Sequence, residues 1–184
     1  VYISIHYKGE VVRDYFGDGS SWGISIRYLE ESAPLGTGGA LGLLPATDSE
    51  FPLLVMNGDL LTKVDFGGLL AFHEEQGSDL TVCVREYDLQ VPYGVVEVRD
   101  QAVCGMIEKP IQKFFVNAGI YVLNHDLVAE LEKAAVVDMT DIIDLQITNK
   151  KKVNAFPIHE YWLDIGLIKQ YEQAQTDILR FLGD

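Results

Sequence analysis

Apolar runs of strand length alternate with helix-length stretches through the first half of this chain, and that alternation limits its folds more than any other feature. Residues 1–6 (VYISIH) are β-rich and read as a buried strand. Residues 9–15 read as a short helix, 24–29 as a strand, and 37–44 as a short helix entered from a glycine-rich turn. Residues 51–56 form an apolar run of strand length, Asp65 is a good N-cap for a helix over 66–76, and 79–86 alternates again. Strands that alternate with helices predict a mainly parallel sheet. Further on, 93–99, 102–108 and 115–123 read as three strands joined by turns, which adds antiparallel pairing. Helices over 126–133 and 140–148, a strand over 152–157 and a closing helix over 167–181 complete the pattern. The expected fold is α/β: a three-layer α/β/α sandwich with a mixed, mainly parallel sheet. In such sheets ligands bind beyond the carboxyl ends of the strands.

Composition excludes several function classes. The chain has 184 residues, 48% of them hydrophobic, enough for one domain with a core. Its formal net charge of -14 argues against a sequence-independent grip on nucleic acid, which needs clustered Lys and Arg. It leaves a phosphate ligand open, since one Lys, a metal and backbone amides can hold phosphate in an acidic protein. No apolar stretch approaches the ~20 residues that span a bilayer, so no membrane partner is expected. Cys83 and Cys104 lie in apolar strand-like runs without a CxxC or Cys/His cluster. The expectation is two buried thiols in a reducing cytoplasm. His6 is expected in the core, and His73, His125 and His159 read as structural. No Ser/His/Asp or Cys/His constellation is present, so covalent nucleophilic catalysis is not expected. Lys150-Lys151-Lys152 reads as a solvated helix end.

The polar turns carry the candidate chemistry. Asp59 follows an apolar strand and Gly58, a place from which a carboxylate can bind Mg²⁺ and leave room for phosphate oxygens; a plain turn-forming Asp reads equally well. Asp164 sits inside Trp162-Leu163-Asp164-Ile165-Gly166 and can ligate a cation or cap the final helix. Pro34-Leu35-Gly36-Thr37-Gly38-Gly39-Ala40 is neither GxGxxG nor a P-loop, and a tight strand-to-helix turn is its favoured reading when taken alone. Glu108-Lys109-Pro110 ends a strand; Lys109 could neutralise a sugar phosphate and Glu108 could accept from hydroxyls, although such a pair is commonly just an exposed turn. Tyr93-Gly94 and Asn117-Ala118-Gly119 are each weak alone.

Taken together and in this order, these segments resemble the sugar-1-phosphate nucleotidyltransferases, with Leu35-Gly36-Thr37 most like the mannose-1-phosphate guanylyltransferase branch. The resemblance implies a Rossmann-like nucleotide-diphospho-sugar transferase domain over 1–184. It implies transfer of a nucleoside monophosphate from an NTP, GTP favoured, to a sugar 1-phosphate. Asp59 and Asp164 would hold Mg²⁺, and with Lys109 would form the catalytic set. Glu31, Leu35, Gly36, Thr37 and Gly58 would bind the nucleotide. Tyr93, Gly94, Glu108, Lys109, Asn117 and Gly119 would bind the sugar phosphate. A homo-oligomer is compatible with the family. The family's opening strand and its GGxGxRL triphosphate loop have no counterpart in these 184 residues, and the expectation is that they precede Val1. A non-catalytic sugar-nucleotide binding module is the alternative; a glycosyltransferase would be expected to carry Asp-x-Asp, which Asn57-Gly58-Asp59 is not.

Overall fold

The computed structural model describes residues 1–45 and 51–181. Its strands are β1 (Tyr2–Ile5), β2 (Arg27–Glu30), β3 (Leu53–Met56), β4 (Leu60–Thr62), β5 (Leu80–Gln90), β6 (Val95–Arg99), β7 (Ala102–Ile107), β8 (Ile111–Leu123), β9 (Val153–Pro157) and β10 (Trp162–Asp164). Its α-helices are α1 (Gly9–Phe16), α2 (Phe66–Gln76), α3 (His125–Ala129), α4 (Met139–Thr148) and α5 (Ile168–Phe181). The four strands β3, β8, β5 and β9 join in that order as one sheet. With parallel β1/β2 and antiparallel β4/β10 and β6/β7, the α/β architecture mixes both directions as expected. Among the described residues no helix is long and apolar enough to cross a membrane.

The chain packs as two compact units. The first comprises Val1–Val55, His73–Thr81 and Val122–Asn154; the second Met56–Phe72, Val82–Tyr121 and Ala155–Asp184.

In the first unit β1, α1 and β2 make a parallel crossover with Ile3 opposite Tyr28 and Ile5 opposite Glu30. Only Ile5 of β1 is buried, so the expected buried strand is instead largely exposed, and His6 lies exposed at its end with Nδ1 2.8 Å from the Glu31 carbonyl. β2 begins three residues later than its alternation suggests, because Ile24 N and Ile26 N bond back to Gly19 O and Asp18 O and hold that stretch in a turn. The helix expected over 37–44 is a short 3₁₀ segment, Gly39–Leu43. Buried His73 contacts Thr81 Oγ1 through Nδ1 at 2.8 Å and Asn124 Oδ1 through Nε2 at 3.1 Å, a structural use as expected. Lys150, Lys151 and Lys152 are exposed beyond the end of α4.

In the second unit Asp65 accepts from Gly68 N at 3.0 Å and starts α2 where the sequence places it. Leu69, Cys83, Ile120 and Ile158 are buried there. Cys104 is exposed, against the expectation of two buried thiols: it sits at the register shift between Glu97 and Val98 pairing, a bulge that turns it out of the ladder. β6 and β7 close through Asp100 and Gln101, both at positive φ (46° and 69°), the backbone of a two-residue hairpin turn. β4 and β10, three residues each, are too short to leave a periodic signal.

Candidate functional site

The two aspartate turns meet in the second unit. β4 and β10 pair antiparallel with Asp164 opposite Leu60, and Ile165 N donates to Asp59 O at 2.8 Å. Two carboxylate-bearing residues far apart in sequence therefore stand on adjacent backbones. Asp164 does not cap α5, which starts at Ile168; one of its oxygens accepts from Gly166 N at 2.9 Å in an Asx turn. Gly58 has neither positive φ nor any atom within 4 Å of where a Cβ would stand, so neither backbone geometry nor packing calls for a glycine. Among the described residues no three His, Cys, Asp or Glu side chains gather as a metal cage. An oxygen-only pair of carboxylates is nevertheless a donor set that fits Mg²⁺, which commonly takes one or two carboxylates and completes its shell with water and phosphate oxygens.

Three further contacts fasten Asn117-Ala118-Gly119 to these turns and to its own strand. Asn57 N donates to Gly119 O at 2.9 Å, and Trp162 Nε1 donates to Ala118 O at 2.9 Å. Gly119 has φ 70°, and a Cβ there would stand 2.7 Å from Asn57 Nδ2, so both conformation and space demand glycine. Asn117 Oδ1 accepts from Gly119 N at 3.0 Å while its Nδ2 donates to Tyr121 Oη at 2.8 Å. Burial raises the Tyr121 phenol and the Asn117 bond partly opposes it, so the hydroxyl stays protonated at neutral pH. Each Asn117 group retains capacity for a second partner.

The remaining predicted sugar-phosphate residues gather at the base of the β6/β7 ribbon. Val91 N donates to Pro110 O at 3.0 Å and Lys109 N to Tyr93 O at 3.3 Å. Gly94 faces Glu108, whose Oε2 lies 3.0 Å from the position of a Cβ. Lys109 holds φ 44°, a left-handed conformation that costs a side-chain-bearing residue about 1–2 kcal/mol. Its ammonium is 4.0 Å from Glu108 Oε1, and Tyr93, Glu108 and Lys109 are all exposed. Exposed Lys8 and Lys150 hold the same left-handed conformation at the ends of α1 and α4, so the backbone of Lys109 by itself marks a turn.

The predicted nucleotide residues of the first unit are engaged with protein. The Glu31 carboxylate accepts from Ser4 Oγ and, at 3.0 Å, from Leu35 N. Leu35 is buried, and its carbonyl accepts from Val137 N. Gly36 has φ 77°, and a Cβ there would meet Val137 O at 2.6 Å; Gly38, Gly39 and Gly42 would likewise collide with Ile142, Ala135 and Glu132. Thr37 N donates to Asp138 Oδ1 at 2.8 Å, and Thr37 Oγ1 accepts from Met139 N at 2.9 Å. The glycine-rich turn thus seats the 132–139 segment and the N-terminus of α4. Beside Glu31, an open groove of about 280 Å³ at the carboxyl ends of β1 and β2 is lined by Ile5, His6, Gly9, Arg13 and Glu30.

Asn57, Trp162 and Tyr121 are positioning groups to which the sequence alone assigns no separate role. The only advance signal is that a partly buried indole or phenol needs a hydrogen-bond partner.

A family model described as Nucleotidyl transferase matches residues 1–180. The chain is 32% identical over 181 residues to probable mannose-1-phosphate guanylyltransferase 2 of Oryza sativa subsp. japonica, covering 93% of this chain and 49% of the relative. It is 30% identical over 184 residues to D-glycero-alpha-D-manno-heptose 1-phosphate guanylyltransferase of Aneurinibacillus thermoaerophilus, covering 99% and 79%. The chain spans about half the length of the mannose-1-phosphate guanylyltransferase relatives it matches. Among solved structures, HddC from Yersinia pseudotuberculosis, also solved as a complex with GMP-PN, has a TM-score of 0.68 at 23% identity over 96% of this chain and 77% of that one. A putative glucose-1-phosphate thymidylyltransferase from Bacillus anthracis reaches 0.70 at 20% identity over 95% and 74%. These structural likenesses show the fold.

Proposed function

This chain belongs to the nucleotidyl transferase family, and we propose that it serves the transfer of a nucleoside monophosphate from an NTP to a sugar 1-phosphate, releasing pyrophosphate. GTP is the favoured donor, on the strength of the guanylyltransferase relatives. The observation that carries the reading is the backbone juxtaposition of Asp59 and Asp164 with Asn117-Ala118-Gly119 tied to both turns.

In the proposed reaction an oxygen of the sugar phosphate attacks the α-phosphorus in line, and the bond to pyrophosphate breaks. Nothing in this chemistry requires a covalent enzyme intermediate, so positioning and charge neutralisation carry it. Asp59 and Asp164 would hold Mg²⁺, which supplies neutralising charge at the phosphates. Lys109 neutralises the sugar phosphate from the ribbon base. Glu108 accepts from sugar hydroxyls, and Asn117 offers its second donor and acceptor to them. Gly58 leaves its backbone open to ligand, Gly94 and Gly119 make room for the Glu108 and Asn57 side chains, and Tyr93 offers an apolar ring beside Lys109. Glu31, Leu35, Gly36 and Thr37 form a fixed scaffold within the first unit. Mg²⁺ use, the donor base and cytoplasmic residence belong to this proposal.

Thermal shift with a panel of NDP-sugars, with and without Mg²⁺, tests it. A ligand held at 100 times its Kd stabilises by about 2.7 kcal/mol. The expected result is a Mg²⁺-dependent rise in Tm with GDP-sugars that Asp59→Asn abolishes. Equal shifts for every base would overturn the guanine preference, and no shift with any NDP-sugar would overturn the site.

A further inference from the structure

Two glycines of the second unit make room for polar side chains. A Cβ at Gly94 would stand 3.0 Å from Glu108 Oε2, and a Cβ at Gly119 would stand 2.7 Å from Asn57 Nδ2 and 3.0 Å from Asn57 Cγ. Glu108 belongs to the proposed sugar-phosphate set. The Asn57 backbone ties β3 to β8, its N–H donating to Gly119 O, but among the described residues its side-chain amide hydrogen-bonds to no protein group. Asn57 is half-buried, and its amide still reaches solvent. The next group near that point on Gly119 is the apolar Leu60 Cδ1, at 3.1 Å. Asn117 commits one acceptor to Gly119 N and one donor to Tyr121 Oη; the Asn57 amide keeps all its donors and acceptors free.

We propose that the Asn57 side-chain amide is a specificity-determining group of this site, hydrogen-bonded to a hydroxyl of the sugar. The inference rests on the sugar-1-phosphate nucleotidyl transfer proposed above. Its place argues for a ligand contact. Asn57 stands two residues before Asp59, and the Gly119 it packs against stands two residues after Asn117, so the amide adjoins both the aspartate turn and the Asn117 segment. Gly58, between Asn57 and Asp59, has no atom within 4 Å of a Cβ position, which leaves that flank clear. Chemistry argues for a hydroxyl. A phosphate oxygen only accepts, and Lys109 with the cation serves it. A hydroxyl both donates and accepts, and an amide whose orientation no protein bond fixes meets either demand. A sugar without that hydroxyl would leave the amide unpaired against Gly119 and be discriminated against.

Calorimetric titration of the full chain in Mg²⁺ compares GDP-mannose with GDP, and dTDP-glucose with dTDP. Asn57→Ala deletes the amide, and Asn57→Leu keeps its branched bulk against Gly119 without a polar atom; both retain the backbone bond to Gly119 O. Each variant should bind the preferred sugar nucleotide about 10-fold more weakly, the scale of one hydrogen bond, with the Kd of the bare nucleotide within about twofold and Tm held. An unchanged sugar-nucleotide Kd in either variant would overturn the assignment. So would an equal loss for nucleotide and sugar nucleotide, the mark of a phosphate contact or a structural role. A parent chain that binds each sugar nucleotide no tighter than its nucleotide would overturn it too. A parent chain that binds none of the four would overturn the nucleotidyl-transfer reading, and this assignment with it.

Discussion

The glycine-rich turn of the first unit and the aspartate turns of the second treat their polar groups in opposite ways. Around Gly36 and Thr37, each glycine fills a space that a Cβ would violate, and hydroxyl, amide and carboxylate groups bond to one another. Around Gly58, Asp59 and Lys109, a glycine stands over open space, a lysine is held in strained backbone, and its charge is exposed. Both regions are rich in glycine and short polar side chains, so composition alone does not separate scaffold from site. What separates them is whether the protein itself occupies the groups and the space.

That contrast can be broken by mutation. The largest effect on stability is expected at Gly39, where a Cβ would strike the Ala135 carbonyl; Gly39→Ala should cost about 3 kcal/mol in urea denaturation. Gly58→Ala, with nothing nearby, should leave stability unchanged and weaken nucleotide-dependent thermal shifts; a large loss of stability there would erase the distinction. Next, Asp59→Asn and Asp164→Asn should lower Mg²⁺-dependent turnover by about 100-fold, near 3 kcal/mol of transition-state stabilisation, with little change in Tm. Thr37→Val should cost about 1–2 kcal/mol of stability by removing the hydroxyl that Met139 N uses. Lys109→Gly should move the two readouts apart: relief of the left-handed backbone gains about 0.5–1 kcal/mol while sugar-phosphate affinity falls. Unchanged affinity would mark Lys109 as an ordinary turn residue.

The smallest effect at neutral pH appears only in alkali. Burial, with the Glu160 charge second, pushes the Cys83 thiol from 9.0 up to about 12. Burial, followed by its hydrogen bond to Asp177, pushes Tyr161 from 10.0 to about 12. Both folded pKa values lie above the unfolded ones, so the unfolded chain releases these protons first. Their stabilising contribution is complete below pH 9 and is lost as pH rises towards 12. Urea midpoints between pH 9 and 12 should fall less steeply in Cys83→Ala than in the parent chain.

The sequence makes α2 readable to the residue, because Asp65 caps its start and Gly77, at φ 57°, ends it. It makes α4 and α5 readable within a residue for similar reasons of pattern and length. β1 departs from its expected burial because a β-rich apolar run does not reveal what covers its faces. α3 stops at Ala129 rather than 133, where the chain turns to reach the glycine-rich turn, a contact between segments about a hundred residues apart. The site residues are legible as types of turn. Their grouping is not, since it rests on β4 and β10, two strands of three residues each, and on an indole bond from Trp162 to a backbone carbonyl.

The two cysteines end up in sharply different settings, one fully buried with its thiol held protonated, the other exposed on the ribbon bulge. Thiolate is the reactive form, so a maleimide dye at neutral pH will couple at Cys104 and leave Cys83 untouched. The native chain therefore carries a ready single-site label. A fluorophore placed there without any mutation would report the surroundings of the β6/β7 ribbon in the same sample used for ligand titration.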